Sequence, residues 1–171
     1  KDIKINNKIN WKKKHLAKLA QEYGKTQQFE TRFNDIYQIY EQDHSSLLDL
    51  NMEILSYFLK SFSINTTLFK QSDLKIIGKN NEIIVAICKK FNIENFIFGL
   101  QGKNYVNSEL FKSKKIYPFE HRFNCLHSNK ITNDQDVLSS IDLIFRYSDN
   151  ELKNYLKSSA LNNNLKRISE E

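Results

Sequence analysis

Apolar and polar residues along this chain repeat with two different periods. Ile3, Ile5 and Ile9 are separated by polar residues, the alternation of a short strand, which runs into a turn at Asn6–Asn7. From Trp11 to Tyr23 the spacing becomes helical: Trp11, His15, Leu19 and Tyr23 recur every four residues, with Leu16 and Ala20 beside them and Gly24 as the stop. A second helix is predicted over about 28–42, with Phe29, Phe33, Ile36, Tyr37 and Tyr40 on one stripe. A third follows over about 45–62, started by Ser45 or Ser46 and rich in leucine and isoleucine.

Thr66 to Phe69 is β-branched and aromatic and predicts a strand. Asn80 or Asn81 then caps a fourth helix, with Glu82 in its first turn and Ile83, Ile84, Ile87, Cys88 and Phe91 on its buried face. Asn95 to Phe98 is a buried strand that stops at Gly99, a short helix covers about 107–112, and a further strand covers about 115–119. An exposed loop is expected over about 124–136, a helix over about 137–147 and a last helix from Asp149.

Strand, helix, strand, helix, strand between residues 66 and 119 requires crossovers, with Glu82 to Phe91 as one crossover helix. The expected fold is a helix-rich α/β domain: a small, mostly parallel sheet with βαβ crossovers, covered by the N-terminal helices. One domain would span 1–157, followed by a polar C-terminal tail, 158–171. Trp11, Leu19, Leu55, Phe58, Ile87 and Phe98 are the expected core.

Composition narrows the picture. Four glycines and one proline, Pro118, are too few for a many-turned sandwich or barrel. No run of about 18 apolar residues predicts a transmembrane helix, and Lys1 to Asn10 has no apolar leader core. Two cysteines, Cys88 and Cys125, cannot form a disulfide framework, and no Cys/His spacing reads as a zinc site. A reducing cytoplasm fits this usage. Neither a metal nor a cofactor is expected.

Charge is local. Residues 1–25 hold eight lysines against Asp2 and Glu22, which accounts for the whole net charge of +6. Such a patch is either a solvated helix face or a collector of anionic ligands. A nucleic-acid binder would spread its basic residues along a groove and add stacking aromatics, so no nucleic-acid partner is expected.

The sharpest candidate chemistry is the stretch Gly99-Leu100-Gln101-Gly102-Lys103-Asn104-Tyr105, between a predicted strand and a helix. Ligands of open α/β sheets sit beyond such strand ends, two glycines let a backbone approach closely, and Lys103 adds charge. The alternative is an ordinary turn. It is no P-loop, because the spacing is short and no Ser or Thr follows the lysine. Gly78, Lys79 and Asn80 at the head of the fourth helix form a second candidate anion site, or only a helix cap. The substrate-binding candidates are therefore Lys79, Asn80, Gly99, Gln101, Gly102, Lys103 and Tyr105, on loops expected to face one cleft.

For catalysis, His121 is exposed by context and suited to general-base work. Asp142, beside an apolar face, either pairs with a buried partner or orients a substrate amine. His15 reads as a packed core histidine, and His44 and His127 as surface residues.

Four segments in series resemble the WbqC-like protein family: WKKKHLAKLAQEYGK from Trp11, LLDLNMEILSYF from Leu47, SDLKIIGKNNEIIVAICKKFN from Ser72 running into NFIFGLQGKNYVNSELF from Asn95, and SSIDLIF from Ser139. The resemblance covers most of 1–147 and implies the later part of that family. Its early His-Gln-Pro motif has no counterpart here, and a segment ahead of the first strand is expected. In HRFNCLHSN, His121 corresponds to the start of a family His-Pro-x-Tyr-Pro-Gln stretch whose Tyr-Pro-Gln is absent. The resemblance implies a role in cell-surface polysaccharide (O-antigen type) biosynthesis: a transferase placing an amino acid or acyl group on an amino sugar. The substrate would be a nucleotide-linked sugar. The alternative is a non-catalytic ligand-binding or assembly protein of the same pathway. The sequence carries no expectation for the oligomeric state.

Overall fold

The computed structural model describes residues 3–121, 139–161 and 165–167. Cys125, His127 and the expected loop over 124–136 lie outside the described residues. The chain is a helix-rich α/β protein that divides into two compact units, Lys1–Thr66 with His127–Ala160, and Thr67–Leu126 with Leu161–Glu171.

The first unit is helical. Its extended start pairs with the turn before the third helix: Ile5 N donates to Ser45 O and Leu47 N to Ile3 O, both at 3.0 Å. Helix α1 spans Trp11–Tyr23, and the Asn10 side chain accepts from Lys13 N to satisfy one of its open amides. Helices α2, Phe29–Glu41, and α3, Leu47–Ser61, follow, each within two residues of its predicted limits.

Further along the chain, α6, Ser140–Arg146, starts on the Ser139 hydroxyl, which accepts from Ile141 N. Helix α7, Asp149–Leu161, starts on a reciprocal capping box, in which Ser148 N and Oγ donate to the Glu151 carboxylate and Glu151 N donates back. These helices close over Ile36, Phe62, Ile144, Phe145 and Leu152. The Tyr23 ring stacks on Phe145 with centroids 4.6 Å apart. A fully buried side chain of this size contributes about 1.5–3 kcal/mol of transfer free energy.

Two expectations for this unit are corrected. His15 is exposed, resting against Trp11 and Tyr40. Steps of four residues drift about 40° each round a helix, so the buried face follows Leu16, Leu19 and Tyr23 and leaves His15 to one side. His44, expected at the surface, is 6% exposed. Its loop is tied to the N-terminal segment by Asn7 Nδ2 donating to His44 O at 3.0 Å, and such long-range ties leave no local signal.

Of the expected core, Phe98 is buried, Trp11, Leu19, Phe58 and Ile87 are half-buried, and Leu55 is 41% exposed. Leu55 lies about 140° round α3 from the buried Leu50, on a helix with leucines on more than one face.

The second unit contains the sheet. Helix α4, Asn81–Lys90, buries Val85 and Cys88. Strand β1, Asn95–Gly99, leads through a 3₁₀ turn, Leu100–Asn104, to α5, Ser108–Ser113, and then to β2, Tyr117–His121. Strands β1 and β2 are parallel, with Asn95 opposite Tyr117 and Gly99 opposite His121. Strand β3, Leu165–Arg167, adds antiparallel to β2 over Phe119–His121, so β2 is central. Pro118 is tolerated there because Tyr117 N already faces β1, donating to Glu94 O. The proline nitrogen therefore points the other way, at a position before the β3 ladder begins. Val85, Cys88, Phe111 and Ile116 form the core, with Phe96 stacked on Phe111.

The parallel crossover is real but differs from expectation. Thr66 to Phe69 forms no strand; Leu68 and Phe69 are exposed, and the Phe69 ring packs on Phe91 at 4.7 Å. β-Branched residues favour strands only where a partner and a half-buried face are available. Consequently α4 precedes the sheet, and α5 is the crossover between β1 and β2. The second strand begins at Tyr117 rather than Lys115 because Lys115 takes a left-handed conformation, φ 59°, at the exit from α5.

Candidate functional site at the strand ends

Parallel strands put their C-terminal ends on one edge, and the register sets the edge here. Gly99, the last residue of β1, lies opposite His121, the last residue of β2. The 3₁₀ turn Leu100–Asn104 leaves from Gly99, and the exposed His121 stands beside that departure point. Backbone amides and an imidazole are thus brought to one place by two strands of five residues.

The head of α4 is tied to the same loop. Asn81 Nδ2 donates to Tyr105 O at 2.8 Å, and Asn81 Oδ1 accepts from Asn107 N at 3.4 Å. Asn107 in turn caps α5 by accepting from Leu110 N. One amide side chain therefore fixes the Gly78–Asn80 segment against the Gly99–Tyr105 loop. Asn81 was weighed in the sequence only as a helix cap; its bridging role rests on a contact 24 residues away that no local pattern reveals.

Two unusual backbone conformations occur here. Asn80 holds φ 50° and ψ −122°, a conformation L-residues seldom adopt, and Gly78 holds φ 149°. Strain of this kind concentrates at ligand clamps and switch segments. Lys79 and Asn80 are both exposed. The Glu82 carboxylate accepts from Lys79 N at 3.3 Å, so the positive end of α4 already carries an internal anion, and an incoming one competes with it.

The two loop glycines differ. A Cβ at Gly102 would fall 2.2 Å from the Phe98 ring, so Gly102 is required by packing. A Cβ at Gly99 would meet nothing within 4 Å, so Gly99 leaves open space on the strand-end edge. Gln101 and Tyr105 are exposed, Tyr105 at 62%. The Lys103 side chain lies outside what the structure describes. Glu120, buried between Phe119 and His121, was not singled out in the sequence.

Asp142 belongs to the other unit. It is buried in the first turn of α6, and Arg146 Nε donates to its Oδ1 at 2.8 Å. Burial raises the Tyr23 phenol above its ordinary value, and the nearby Asp142 carboxylate pushes it further up. Arg32 is a further buried charge that sequence reasoning missed; its guanidinium donates to Asp149. Among the described residues no three His, Cys, Asp or Glu side chains gather as a metal site. Among the same residues no helix is long and apolar enough to cross a membrane.

Fold and edge together define a helix-rich α/β protein with loop-borne polar groups at the C-terminal end of a parallel strand pair. Residues 1–154 match the WbqC-like protein family, and the chain belongs to that family. No curated protein and no solved structure shows significant similarity to it.

Proposed function

We propose that this chain acts in the cytoplasm in cell-surface polysaccharide biosynthesis, transferring an amino acid or acyl group to the amine of a nucleotide-linked amino sugar. Family membership supports the pathway. The observation that carries the site is the register pairing of Gly99 with His121, with Asn81 holding the α4 head against the same loop.

In this reading the turn after Gly99, with Gln101, Gly102, Lys103 and Tyr105, holds the phosphate-bearing part of the sugar nucleotide, aided by Lys79 and Asn80. The sugar nitrogen attacks the carbonyl carbon of an activated acyl donor. A C–N bond forms, the bond from that carbon to the donor's leaving group breaks with its electron pair, and the amine proton passes to His121. Asp142 accepts from Arg146 within the helical unit, and no step of this reaction is assigned to it.

The test pairs calorimetry with product detection by mass spectrometry, using nucleotide-linked amino sugars and thioester or aminoacyl donors. Lys103→Ala should weaken sugar-nucleotide binding by about 1–3 kcal/mol, the range for losing a charge-assisted hydrogen bond. His121→Ala should retain binding and lose about 10²–10⁴-fold in turnover. Binding with no amide product from any donor would instead establish a non-catalytic ligand-binding or assembly protein. Equal binding by parent and Lys103→Ala would remove the site.

A further inference from the structure

A concave site lies wholly within the helical unit. Its volume is about 420 Å³, and its walls include Asn7, Lys8, Asn10, Trp11, Lys12 and Asp43. That volume falls in the range of small-ligand clefts, about 300–1,000 Å³. Three features of the wall select a ligand class. Its apolar surface comes from the exposed Ile9 side chain and from the Trp11 indole, whose Nε1–H is already used in donating to Asn7 Oδ1 at 3.2 Å. What the indole offers is therefore ring surface and not a polar handle.

The second feature is the division of the polar groups into framework and free partners. Asn7 is spent on structure, since its amide also donates to His44 O. Lys12 Nζ donates to Gln42 O at 2.7 Å and lies 6.0 Å from the Trp11 ring centroid, bracing the wall. Asn10 Oδ1 caps α1, which leaves its NH₂ donors to the cavity. Lys8 Nζ and the Asp43 carboxylate have no hydrogen-bond or ion-pair partner among the described residues; the Lys8 backbone N–H alone is used, by Asn6.

The third feature is net charge. Lys8 and Lys12 outweigh Asp43, and neighbouring Lys4, Lys13 and Lys14 have no acidic partner among the described residues. The cavity asks for one anionic group, several hydroxyls able to both donate and accept, and a C–H face for a single aromatic wall. A pyranose ring presents both a hydroxyl-bearing rim and a C–H face, and so matches both kinds of surface.

We propose that this cavity binds a saccharide carrying one anionic group, carboxylate or phosphate, with its ring against Trp11, its charge on Lys8 and its hydroxyls on Asn10 and Asp43. The inference does not rest on the proposed transfer reaction, whose groups lie in the sheet-bearing unit.

Trp11 is the only tryptophan of the chain, so intrinsic tryptophan fluorescence reports on this cavity directly. The full chain is titrated with glucuronate and glucose 1-phosphate, with glucose, inorganic phosphate and adenosine monophosphate as comparisons. Both acidic sugars should give a saturable change, and the three comparisons should bind at least about fivefold more weakly, the scale of one exposed charge. Lys8→Ala should weaken the acidic sugars by about fivefold and Lys8→Arg should restore them. This position is safe for folding because only its backbone is used. Asp43→Asn should weaken the acidic sugars relative to inorganic phosphate, because the carboxylate accepts only from hydroxyls while its loss eases the repulsion of both anions. Glucose binding as well as glucuronate, phosphate binding as well as glucose 1-phosphate, equal binding of adenosine monophosphate, or no saturable change would each overturn the proposal.

Discussion

The candidate groups of the two units are held in different ways. In the helical unit Arg32, His44 and Asp142 leave the surface and are held by partners: Arg32 by Asp149, His44 by Glu53 at 3.0 Å, and Asp142 by Arg146. In the sheet-bearing unit the candidate groups Lys79, Asn80, Gln101, Tyr105 and His121 are exposed, while the backbone beneath them is strained or fixed by one asparagine. Buried charge with a partner is how a fold satisfies desolvated groups. Exposed groups on a fixed edge are how a fold prepares to meet something else. Of the two catalytic candidates read from the sequence, Asp142 belongs to the first group and His121 to the second.

The largest expected effect tests the helical side. Phe145 has no solvent exposure and touches Tyr23 and Phe29 by ring contact. Phe145→Ala should lower the free energy of unfolding by about 3–5 kcal/mol, read by urea denaturation followed through Trp11. A loss under about 1 kcal/mol would mean that this core is loosely packed.

Gly102→Ala comes next and probes the sheet-bearing side. The added methyl meets Phe98 Cδ2 at 2.2 Å and Cβ at 3.0 Å, so ring rotation alone does not clear it. The loss should be about 1–3 kcal/mol, the scale for overpacking. An unchanged midpoint would mean that the turn after β1 yields readily, which does not suit a preorganised cradle.

Much of this contrast was legible in the residues. The period of four from Trp11 to Tyr23 marked α1 at both ends, and the run ending at Gly99 marked β1 within a residue. What could not be read was anything that depends on partners distant in sequence. Thr66–Phe69 has strand-forming residues and no strand to join, while Leu165–Arg167 has a weak strand pattern and a place beside β2. His15 and His44 exchanged roles because one depends on helical phase and the other on the N-terminal segment bonded to its loop. For the site, the strand-loop-helix order exposed the Gly99–Tyr105 candidate, but the bridge from Asn81 is a tertiary contact.

Titration offers a smaller test of the same contrast. Burial raises the phenols of Tyr23, Tyr40 and Tyr57 in the helical unit and the Cys88 thiol in the sheet-bearing unit. A raised value means that the folded state holds the proton more tightly. The resulting stability is therefore complete below the unfolded values, about 8.5 for the thiol and about 10 for the phenols, and is lost as pH rises through the folded ones. Unfolding midpoints should fall from about pH 9 upward, and Tyr40→Phe, which keeps the ring and removes one titrating group, should flatten that fall. An unchanged fall in Tyr40→Phe would mean that the hydroxyl is not sheltered.

The smallest stability effect carries the most information about the edge. Gly99 has φ −77° and ψ 172°, extended backbone that alanine adopts without strain, and its Cβ direction is empty to 4 Å. Gly99→Ala should therefore leave stability within about 0.5 kcal/mol of the parent, or raise it slightly by restricting the unfolded chain. Glycine is thus not needed there for folding. If a phosphate-bearing ligand packs against the backbone where β1 ends, a methyl group stands in its path, and calorimetric affinity for the sugar nucleotide should drop while the denaturation curve stays in place. Were the affinity unchanged as well, glycine at that position would serve neither fold nor ligand, and the turn after β1 would be only a turn. Gly102→Ala cannot make this separation, because there the fold itself objects to the methyl group.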